Sequence, residues 1–345
     1  MQGLDLSRDQ QLTDAQNDSI SDMAFYRKQS SMEPAFLSVA AWDGSVVVYE
    51  VNEAENVASR VAGYTHNGPV LSTHWHPERP IVVSSGCDNR ALAHDLASNC
   101  EIVLGSHNEV ISSIRVLDDY RVATASWDQS IRIWDIRMDN RNPSATVKLS
   151  GRVYSLDHSG NVDDKWLVTC DSTRTVSLID CQKGVMMGVV SPLKCHTRRV
   201  AVAPTGGWAV VSGTEGICAV VKMSQRGDIE KDFSFLCHRA PRKDSISILD
   251  IYPVNTVAFH PKTTTFCTGG SDGHLNTWDK VKRRKISTSY PMMNAPITAS
   301  AFSPSGNTLA YSVSYDWSKG HSFNTPESKS SVCLHQVVQS DVRIP

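Results

Sequence analysis

Short segments in which polar and apolar residues alternate recur along the whole chain. Six of them are SISDMAF, PVLSTHW, VISSIRV, RVYSLDH, PVNTVAF and PITASAF. Alternation with a period of two residues is typical of β-strands that bury one face in an antiparallel sheet. The pattern therefore predicts an all-β chain that is built from repeated strands.

A turn with a small residue and an acid follows most of these segments and leads into another alternating strand. Clear copies are AAWDGSVVVYEV, SGCDNRALAHDL, TASWDQSIRIWDI and GGSDGHLNTWDK, with turn acids at Asp43, Asp88, Asp128 and Asp272. Weaker copies, TCDSTRTVSLIDC and SGTEGICAVVKM, have their turns at Thr173 and Glu215. Successive turns lie 40–45 residues apart, except for one interval of 57 that contains the insertion RAPRKDSISILD.

This spacing is typical of the blades of a WD-repeat β-propeller, which are about 40–45 residues long. With the last unit, residues 296–338, the chain has seven such repeats. We therefore predict a single all-β domain, a seven-bladed WD40 β-propeller over residues 17–338. Residues 1–16 are expected to form a disordered extension and residues 339–345 a short tail. Closure of the ring is expected to pair an N-terminal strand with the last blade.

The third repeat contains all the polar residue types of the buried hydrogen-bond relay of WD repeats. His107, Ser126, Asp128 and Trp134 supply the histidine, the strand hydroxyl, the turn acid and the strand indole. A Ser/His/Asp set also invites a hydrolase interpretation. However, parts of the same set recur at blade spacing, and the GxSxG match GGSDG is itself the turn of a repeat between two strand patterns. The chain has no Walker loop or strand-linked GxGxxG. We therefore interpret the set as scaffold and expect no enzyme activity.

Composition excludes several other classes of protein. The formal net charge is −2, so the chain as a whole is not a polycation that coats nucleic acid. No apolar run approaches the ~18 residues of a membrane span, and the polar N-terminus does not resemble a secretory signal. The nine cysteines form no CxxC motif, which favours free thiols in a reducing compartment. Cys195-His196 and Cys237-His238 lack further ligands at zinc-site spacing, so we expect no metal or other cofactor.

Several longer phrases resemble one known family. They are VVSPLKCHTRRVAV, KDFSFLCHR, DIYPVNTVAFHP, GGSDGHLNTWDK and NTLAYSVSYDWSKGHSF. In this order they resemble the poly(A)+ RNA export factor family, small WD-repeat proteins of the nuclear pore, over about residues 17–338. The WD-repeat mitotic checkpoint protein family is a close sister, and SWDQSIRIWD and GRVYSLD fit it equally well. The loop YDWSKGH favours the export family, with Tyr315, Asp316, Trp317 and Lys319 as its signature residues.

The resemblance implies an adaptor rather than a catalyst. In the export family, the top face of the propeller binds a short peptide motif called GLEBS in an FG-repeat nucleoporin, and the complex supports mRNA export through the nuclear pore. This implies a location in the nucleus, at the nuclear envelope and its pore complexes. The checkpoint alternative implies recruitment of checkpoint kinases to kinetochores in mitosis, with a cytoplasmic pool. A third interpretation is a protein that binds single-stranded RNA directly.

Five residues are candidates for contact with a partner peptide. By motif position the resemblance assigns this role to Lys194, Arg198 and Arg239, and Arg guanidinium groups suit bidentate binding of carboxylate or phosphate. These residues could also be ordinary solvated loop charges. Trp42 and Trp127 each precede a turn acid, where an indole can anchor a partner at the surface or pack between blades.

A run of basic residues, KVKRRK, follows the third strand of the sixth repeat. Its cations are Lys280, Lys282, Arg283, Arg284 and Lys285. In the export family this neighbourhood belongs to a basic surface that holds single-stranded nucleic acid, and here only Lys280 matches the family motif itself. A nuclear-localisation signal or a solvated strand edge would have the same composition. The run is therefore a candidate patch for nucleic acid or an acidic partner.

Overall fold

The alternating segments of the sequence form the innermost strands of seven sheets that surround a central channel. Neighbouring innermost strands contact one another around the ring, and the last contacts the first. The chain is therefore a closed seven-bladed β-propeller, which confirms the predicted fold class. The computed structural model describes residues 4–13, 16, 18–26, 35–138, 142–159, 165–242, 244–325 and 329–342.

The first four blades are four-stranded antiparallel sheets whose strands follow chain order from the channel outward. Blade one contains β3 (Ile20–Phe25), β4 (Ala35–Ala41), β5 (Ser45–Asn52) and β6 (Val57–Thr65). Blade two contains β7 (Val70–Trp75), β8 (Ile81–Gly86), β9 (Arg90–Asp95) and β10 (Cys100–Ser106). Blade three contains β11 (Ile111–Val116), β12 (Arg121–Ser126), β13 (Ser130–Asp135) and β14 (Ala145–Lys148). Blade four contains β15 (Val153–His158), β16 (Trp166–Asp171), β17 (Val176–Asp180) and β18 (Val185–Val190).

The last three blades follow the same plan with two additions. Blade five contains β19 (Thr197–Val202), β20 (Trp208–Gly213), β21 (Ile217–Met223) and β22 (Ile229–Leu236). The insertion forms a separate hairpin, β23 (Arg239–Arg242) with β24 (Ser245–Ile251). Blade six contains β25 (Val254–Phe259), β26 (Thr265–Gly270), β27 (Leu275–Asp279) and β28 (Arg284–Tyr290). Blade seven takes β29 (Ile297–Phe302), β30 (Thr308–Val313) and β31 (Ser331–Gln336) from the C-terminal part of the chain.

The N-terminal segment supplies the missing strand of blade seven. Strand β2 (Gln10–Gln11) pairs antiparallel with β31, and β1 (Leu4–Asp5) adds to blade six in parallel with β28. The predicted closure by an N-terminal strand is confirmed. The prediction that residues 1–16 form a disordered extension was wrong for residues 4–13, and residues 1–3, 14 and 15 lie outside the described residues. Leu4, Leu6 and Leu12 are buried, so this segment docks through apolar contacts as well as strand pairing. The tail also packs in part, because Asp341 is buried against His335.

The hydrophobic core lies between adjacent sheets, where alternate strand residues of neighbouring blades meet. The channel interior is polar and carries an ion network between blades. Arg115 Nε lies 2.8 Å from Asp157 Oδ1, and Arg199 pairs with Asp22 on the far side of the ring. Within the described part of the chain, no helix is long and apolar enough to cross a membrane.

The relay of blade three forms, but with a different hydroxyl from the one predicted. His107 Nδ1 lies 3.0 Å from Asp128 Oδ2, and its Nε2 lies 2.8 Å from Thr124 Oγ1. Trp134 Nε1 donates to the same Thr124 oxygen at 2.8 Å. Assigning Ser126 to the relay was wrong. Its hydroxyl lies at the strand end, where it accepts the amide of Asp128 at 3.0 Å, whereas Thr124 lies two residues deeper, level with the indole.

Blades two and six contain versions of the same relay. In blade six, His238 bonds Asp272 and Thr268, and Trp278 donates to Thr268. In blade two, His66 bonds Asp88 and Ser84, but a histidine stands at the tryptophan position. In place of the indole, the Tyr64 hydroxyl donates to Ser84 at 2.8 Å. The Tyr64 ring stacks on His94, the histidine that stands at the tryptophan position.

Candidate functional site

The seven innermost strands begin at one end of the propeller, which we call the top face. The turns between the second and third strands of each blade lie at this end too, because the second strand runs antiparallel to the innermost one and ends where the innermost strand begins. A concavity of about 180 Å³ opens here at the mouth of the channel. We call it the top mouth, and its walls include Trp42, Arg198, Tyr315, Asp316 and Trp317. Five of the residues selected from the sequence thus meet in one site.

Aromatic rings from blades one and seven form one wall of the top mouth. The ring centroids of Trp42 and Trp317 are 4.9 Å apart, and those of Tyr315 and Trp317 are 5.7 Å apart. Trp317 has a positive φ of 60°, which turns its indole out of the strand path. Its Nε1 is buried and has no hydrogen-bond partner among the residues that the structure describes. The wall therefore offers both an apolar surface and an unused donor.

Arg198 provides the charge of the top mouth. Its guanidinium makes no hydrogen bond or ion pair within the described ranges, although the neighbouring Arg199 is paired with Asp22. Burial lowers the pKa of Arg198, and the nearby carboxylate of Asp316 opposes that effect. The Arg198 side chain is half-buried, and a cation that loses part of its hydration without a bonded partner is unfavourable. An anionic group that entered the top mouth would relieve this cost and could use the fork geometry of the guanidinium.

The carboxylate of Asp316 forms hydrogen bonds that hold the loop, and it does not bond to Arg198 within the described residues. Its Oδ2 accepts from the Ser271 hydroxyl of blade six, and its Oδ1 accepts the Ser318 hydroxyl at 2.7 Å. Burial raises the pKa of Asp316, but these hydrogen bonds and the charge of Arg198 together keep it below its ordinary value. The signature loop is therefore attached to blade six at the position that presents Trp317.

The other two basic candidates lie outside the top mouth. Lys194 is exposed, and only its backbone carbonyl is used, as the acceptor for Arg174 Nη1 at 2.9 Å. The Arg239 guanidinium donates to two backbone carbonyls, those of Glu215 at 2.7 Å and Gly216 at 3.2 Å. It therefore holds the turn of blade five and has only part of its donor set left for a partner.

Two further candidates are also separate from this site. Trp127 is half-buried in the turn of blade three and does not line the top mouth. Its Nε1 is buried and has no partner in the described part of the chain, as in Trp317. Lys319 lies at the far side of the signature loop, with its ammonium 5.9 Å from the centre of the Phe323 ring.

The basic run of blade six lies at the opposite end of the propeller. Lys280, Lys282 and Arg283 form the turn between β27 and β28, and Arg284 and Lys285 begin β28, as the sequence predicts. This turn joins the third and fourth strands, so it faces away from the top mouth.

Aromatic rings of blade five support two cations of this run. Lys280 lies 5.1 Å from the Trp208 ring, and Arg283 lies 4.7 Å from the Phe233 ring. The side chain of Asp232 accepts from Arg283 at 3.0 Å. The turn is thus a cationic surface with aromatic side chains beneath it.

The Ser/His/Asp sets of the chain are part of the sheets. His66 lies 2.7 Å from Ser84 and 3.1 Å from Asp88, the order of contacts in a hydrolase triad. However, the His66 and Ser84 side chains are buried, and Ser84 also accepts from Tyr64. The arrangement repeats in blades three and six, which agrees with its interpretation as a relay.

Some residues of the top mouth were not singled out from the sequence. Asn255 lines it, and its amide donates to the backbone carbonyl of Ile297 at 3.1 Å. Ser271, which fixes Asp316, is a second example. Both lie in ordinary repeat positions, and their residue types do not distinguish them from other strand or turn residues.

Comparison with known proteins identifies the repeats and their relatives. The family model described as "WD domain, G-beta repeat" matches residues 98–135 and 246–279. The "Poly(A)+ RNA export protein" of Schizosaccharomyces pombe is 33% identical over 98% of this chain and 93% of its own length. The "mRNA export factor" of Xenopus tropicalis is 33% identical over 96% and 90%, respectively. The "WD40 repeat protein poxJ" of Penicillium oxalicum is 33% identical over 98% and 96%.

Proposed function

Because the chain belongs to the poly(A)+ RNA export factor family of WD-repeat proteins, we propose that it is a non-enzymatic adaptor in mRNA export. It acts in the nucleus at the nuclear pore complex, and it binds a GLEBS-type peptide of an FG nucleoporin at the top mouth. The names of the relatives from S. pombe and X. tropicalis support the export role. The arrangement of the top mouth supports the choice of site.

The observation that carries this choice is the unpaired Arg198 beside an aromatic wall. A peptide with an acidic side chain and a neighbouring apolar side chain would satisfy the guanidinium and cover Trp42 and Trp317 together. Buried aromatic and arginine residues are the usual centres of binding energy in protein interfaces. Arg239 and Lys194 then lie outside this centre, and their contribution to the affinity is expected to be smaller.

The test is binding of a GLEBS peptide to the full chain, measured by isothermal titration calorimetry. The Arg198→Glu variant should bind at least about tenfold more weakly, because it places like charges together. Arg226→Glu is the matched control, since Arg226 is exposed on a turn between third and fourth strands. Equal affinity of both variants and wild type would refute the site. A tagged chain should form a nuclear rim in interphase, whereas kinetochore foci in early mitosis would support the checkpoint role instead.

A second candidate function, binding of single-stranded RNA, rests on the basic turn of blade six. Cations above aromatic rings suit a phosphate backbone with stacked bases. Retention of RNA by the isolated protein should fall steeply as salt rises, and reversal of the charges at Lys282 and Lys285 should abolish it. Unchanged retention in that double variant would eliminate this function without affecting the adaptor role.

A further inference from the structure

A groove of about 570 Å³ lies between blades two and three, far from the top mouth. Its blade-two wall includes Ile81, at the start of β8, and Leu104 on β10. Its blade-three wall includes Val116, at the end of β11, and Val122 near the start of β12. These strand ends are opposite the top face. The volume falls in the range of about 300–1,000 Å³ that is usual for ligand sites.

Three of the seven repeats show how the space between two blades can be filled by a ring. Seven residues before the turn position, blades one, four and five carry an aromatic residue: Phe36, Trp166 and Trp208. Phe36 reaches Trp75 of blade two, with ring centroids 6.4 Å apart. Trp208 packs edge-on against Phe259 of blade six at 4.9 Å. These rings act as wedges that fill the space between one blade and the next.

Trp166 fills the corresponding space between blades four and five. Its ring lies beside Gly227 in the turn of blade five, so that a Cβ added there would be 3.1 Å from the indole. In blade two the equivalent residue is Ile81, which is shorter and aliphatic. Blades three, six and seven also lack a ring at this position, where they have Arg121, Thr265 and Leu309. The groove beside blade two therefore lies where three other blades place a ring.

The polar groups around the groove already have partners. His76 Nε2 lies 2.9 Å from the backbone carbonyl of Asp119, and Arg79 bonds to both of these residues. Arg137 pairs with Asp135 at 2.6 Å and covers the Tyr120 ring at 4.3 Å. The rim is thus charged but internally paired, while the walls are mainly aliphatic. An apolar occupant fits such a site better than a polar metabolite, which would find few free partners.

We propose that this groove binds an aromatic side chain, of about the size of an indole, carried by a partner polypeptide. The ring would take the place that Phe36, Trp166 and Trp208 fill at other junctions. The groove is open at the surface, where Ile102 is 56% exposed, so the main chain of the partner can remain at the rim while one side chain enters. This site is separate from the top mouth, and it does not depend on the proposed role in export.

The test uses N-acetyltryptophanamide, an indole side chain with a peptide group on each side. It is titrated into the full chain while methyl NMR signals of isoleucine, leucine and valine are recorded. Saturable shifts are expected at Ile81, Ile102 and Leu104. N-acetylleucinamide should bind at least about tenfold more weakly, because it buries less apolar area. Failure of the tryptophan derivative to shift these signals, or equal binding of both compounds, would overturn the proposal.

Substitution of Ile81→Trp gives the chain its own wedge. This variant should lose the shifts caused by N-acetyltryptophanamide and should unfold at a higher urea concentration, as expected for a filled cavity. Val57→Trp is the matched control, because Val57 is 42% exposed on the outer strand of blade one. It should bind the compound like the wild type.

A second variant, Ala93→Leu, fills the groove from the wall of blade two and covers the case in which Ile81→Trp does not fold. It too should lose binding. Undiminished binding by a folded form of either groove variant would place the compound elsewhere and refute the inference.

Discussion

Asp128 in blade three and Asp316 in blade seven occupy the same turn position, but they bind different neighbours. Asp128 bonds to His107 and to the turn of its own blade, and the histidine continues through Thr124 to Trp134. Asp316 instead bonds to Ser271 of blade six and to its own loop.

This difference separates two uses of one repeat position. In blade three the turn acid joins a turn to the interior of a blade. In blade seven it fixes a loop whose Trp317 meets Trp42 of blade one, and the indole becomes part of a surface. Where the relay is absent, its residues are available for contact between blades and for a binding site. Variation at turn positions of the ring is therefore expected to change binding more readily than folding.

Replacing the two turn acids by alanine is expected to have the largest effect on the free energy of unfolding, and it tests this comparison directly. Asp128→Ala should lower the free energy of unfolding by about 4 kcal/mol, because it removes the acceptor of His107 Nδ1 and of several turn donors in a buried network. Asp316→Ala should cost only about 1–2 kcal/mol, since it breaks loop contacts at the edge of the top mouth. Urea unfolding of both variants measures the difference. Equal losses would contradict the separation of the two roles.

Asp316→Ala should have the larger effect on partner binding, because it releases the loop that holds Trp317. Calorimetric titration with the GLEBS peptide distinguishes the two variants, and Asp128→Ala serves as the control at a temperature where it remains folded. A stronger loss of affinity in Asp128→Ala would reverse the assignment.

A change of pH is expected to have a slightly smaller effect on the free energy of unfolding. This effect has opposite signs in blades three and seven. Burial lowers the pKa of His107 to about 4, although Asp128 opposes the shift. Burial also lowers the pKa of His335 in blade seven, but hydrogen bonds that its ring donates to Asp341 and Asp9 outweigh this effect and raise the pKa to about 9. The usual pKa of histidine is about 6.5.

Folded blade three thus binds fewer protons than the unfolded chain between pH 6.5 and about 4, so its contribution to stability is lost on acidification. Folded blade seven binds more protons between pH 6.5 and about 9. Its contribution is complete below pH 6.5 and is lost as the pH rises through 9. The alkaline loss is on the order of 3 kcal/mol. Urea unfolding of the wild type and of His335→Gln measures this loss. The difference between their free energies of unfolding should disappear by pH 9.5. A difference that stays constant with pH would contradict the raised pKa of His335.

The smallest effect distinguishes the two hydroxyls of blade three. Thr124→Val should cost about 2 kcal/mol, because it leaves His107 Nε2 and Trp134 Nε1 without a partner. Ser126→Ala should cost about 1 kcal/mol, since it removes a turn contact to the Asp128 amide and a hydrogen bond at 3.2 Å to the Glu109 carbonyl, both at the strand end. Chemical denaturation of the two single variants suffices. A larger loss for Ser126→Ala would restore that serine to the relay.

The sequence was sufficient for the features that depend on local pattern. Strand alternation and turn spacing predicted seven blades, and the polar residues of blade three predicted three of the four relay members. The basic run follows the third strand of blade six, as the repeat pattern predicted. These features follow from the geometry of a single repeat, which the chain presents several times.

Other features depend on distances between repeats, and the sequence could not supply them. Trp42 and Trp127 have the same local context, yet only Trp42 meets an indole from the neighbouring blade. Arg239 resembles a partner-binding residue by motif, but a nearby turn offers it two carbonyls. The N-terminal segment lacks strong alternation, and its two short strands are ordered by edges that residues near the other end of the chain provide.

That N-terminal segment has a consequence for biosynthesis. Strand β2 leaves the ribosome early, but its partner β31 lies more than 300 residues later in the chain. At about 5–20 residues per second, the nascent chain must wait roughly 15–60 s before the two edges can pair. Throughout this time the apolar residues Leu4, Leu6 and Leu12 have no docking site in blades six and seven. A chaperone that shields this segment of the nascent chain would therefore protect the step in which strands β1 and β2 complete blades six and seven.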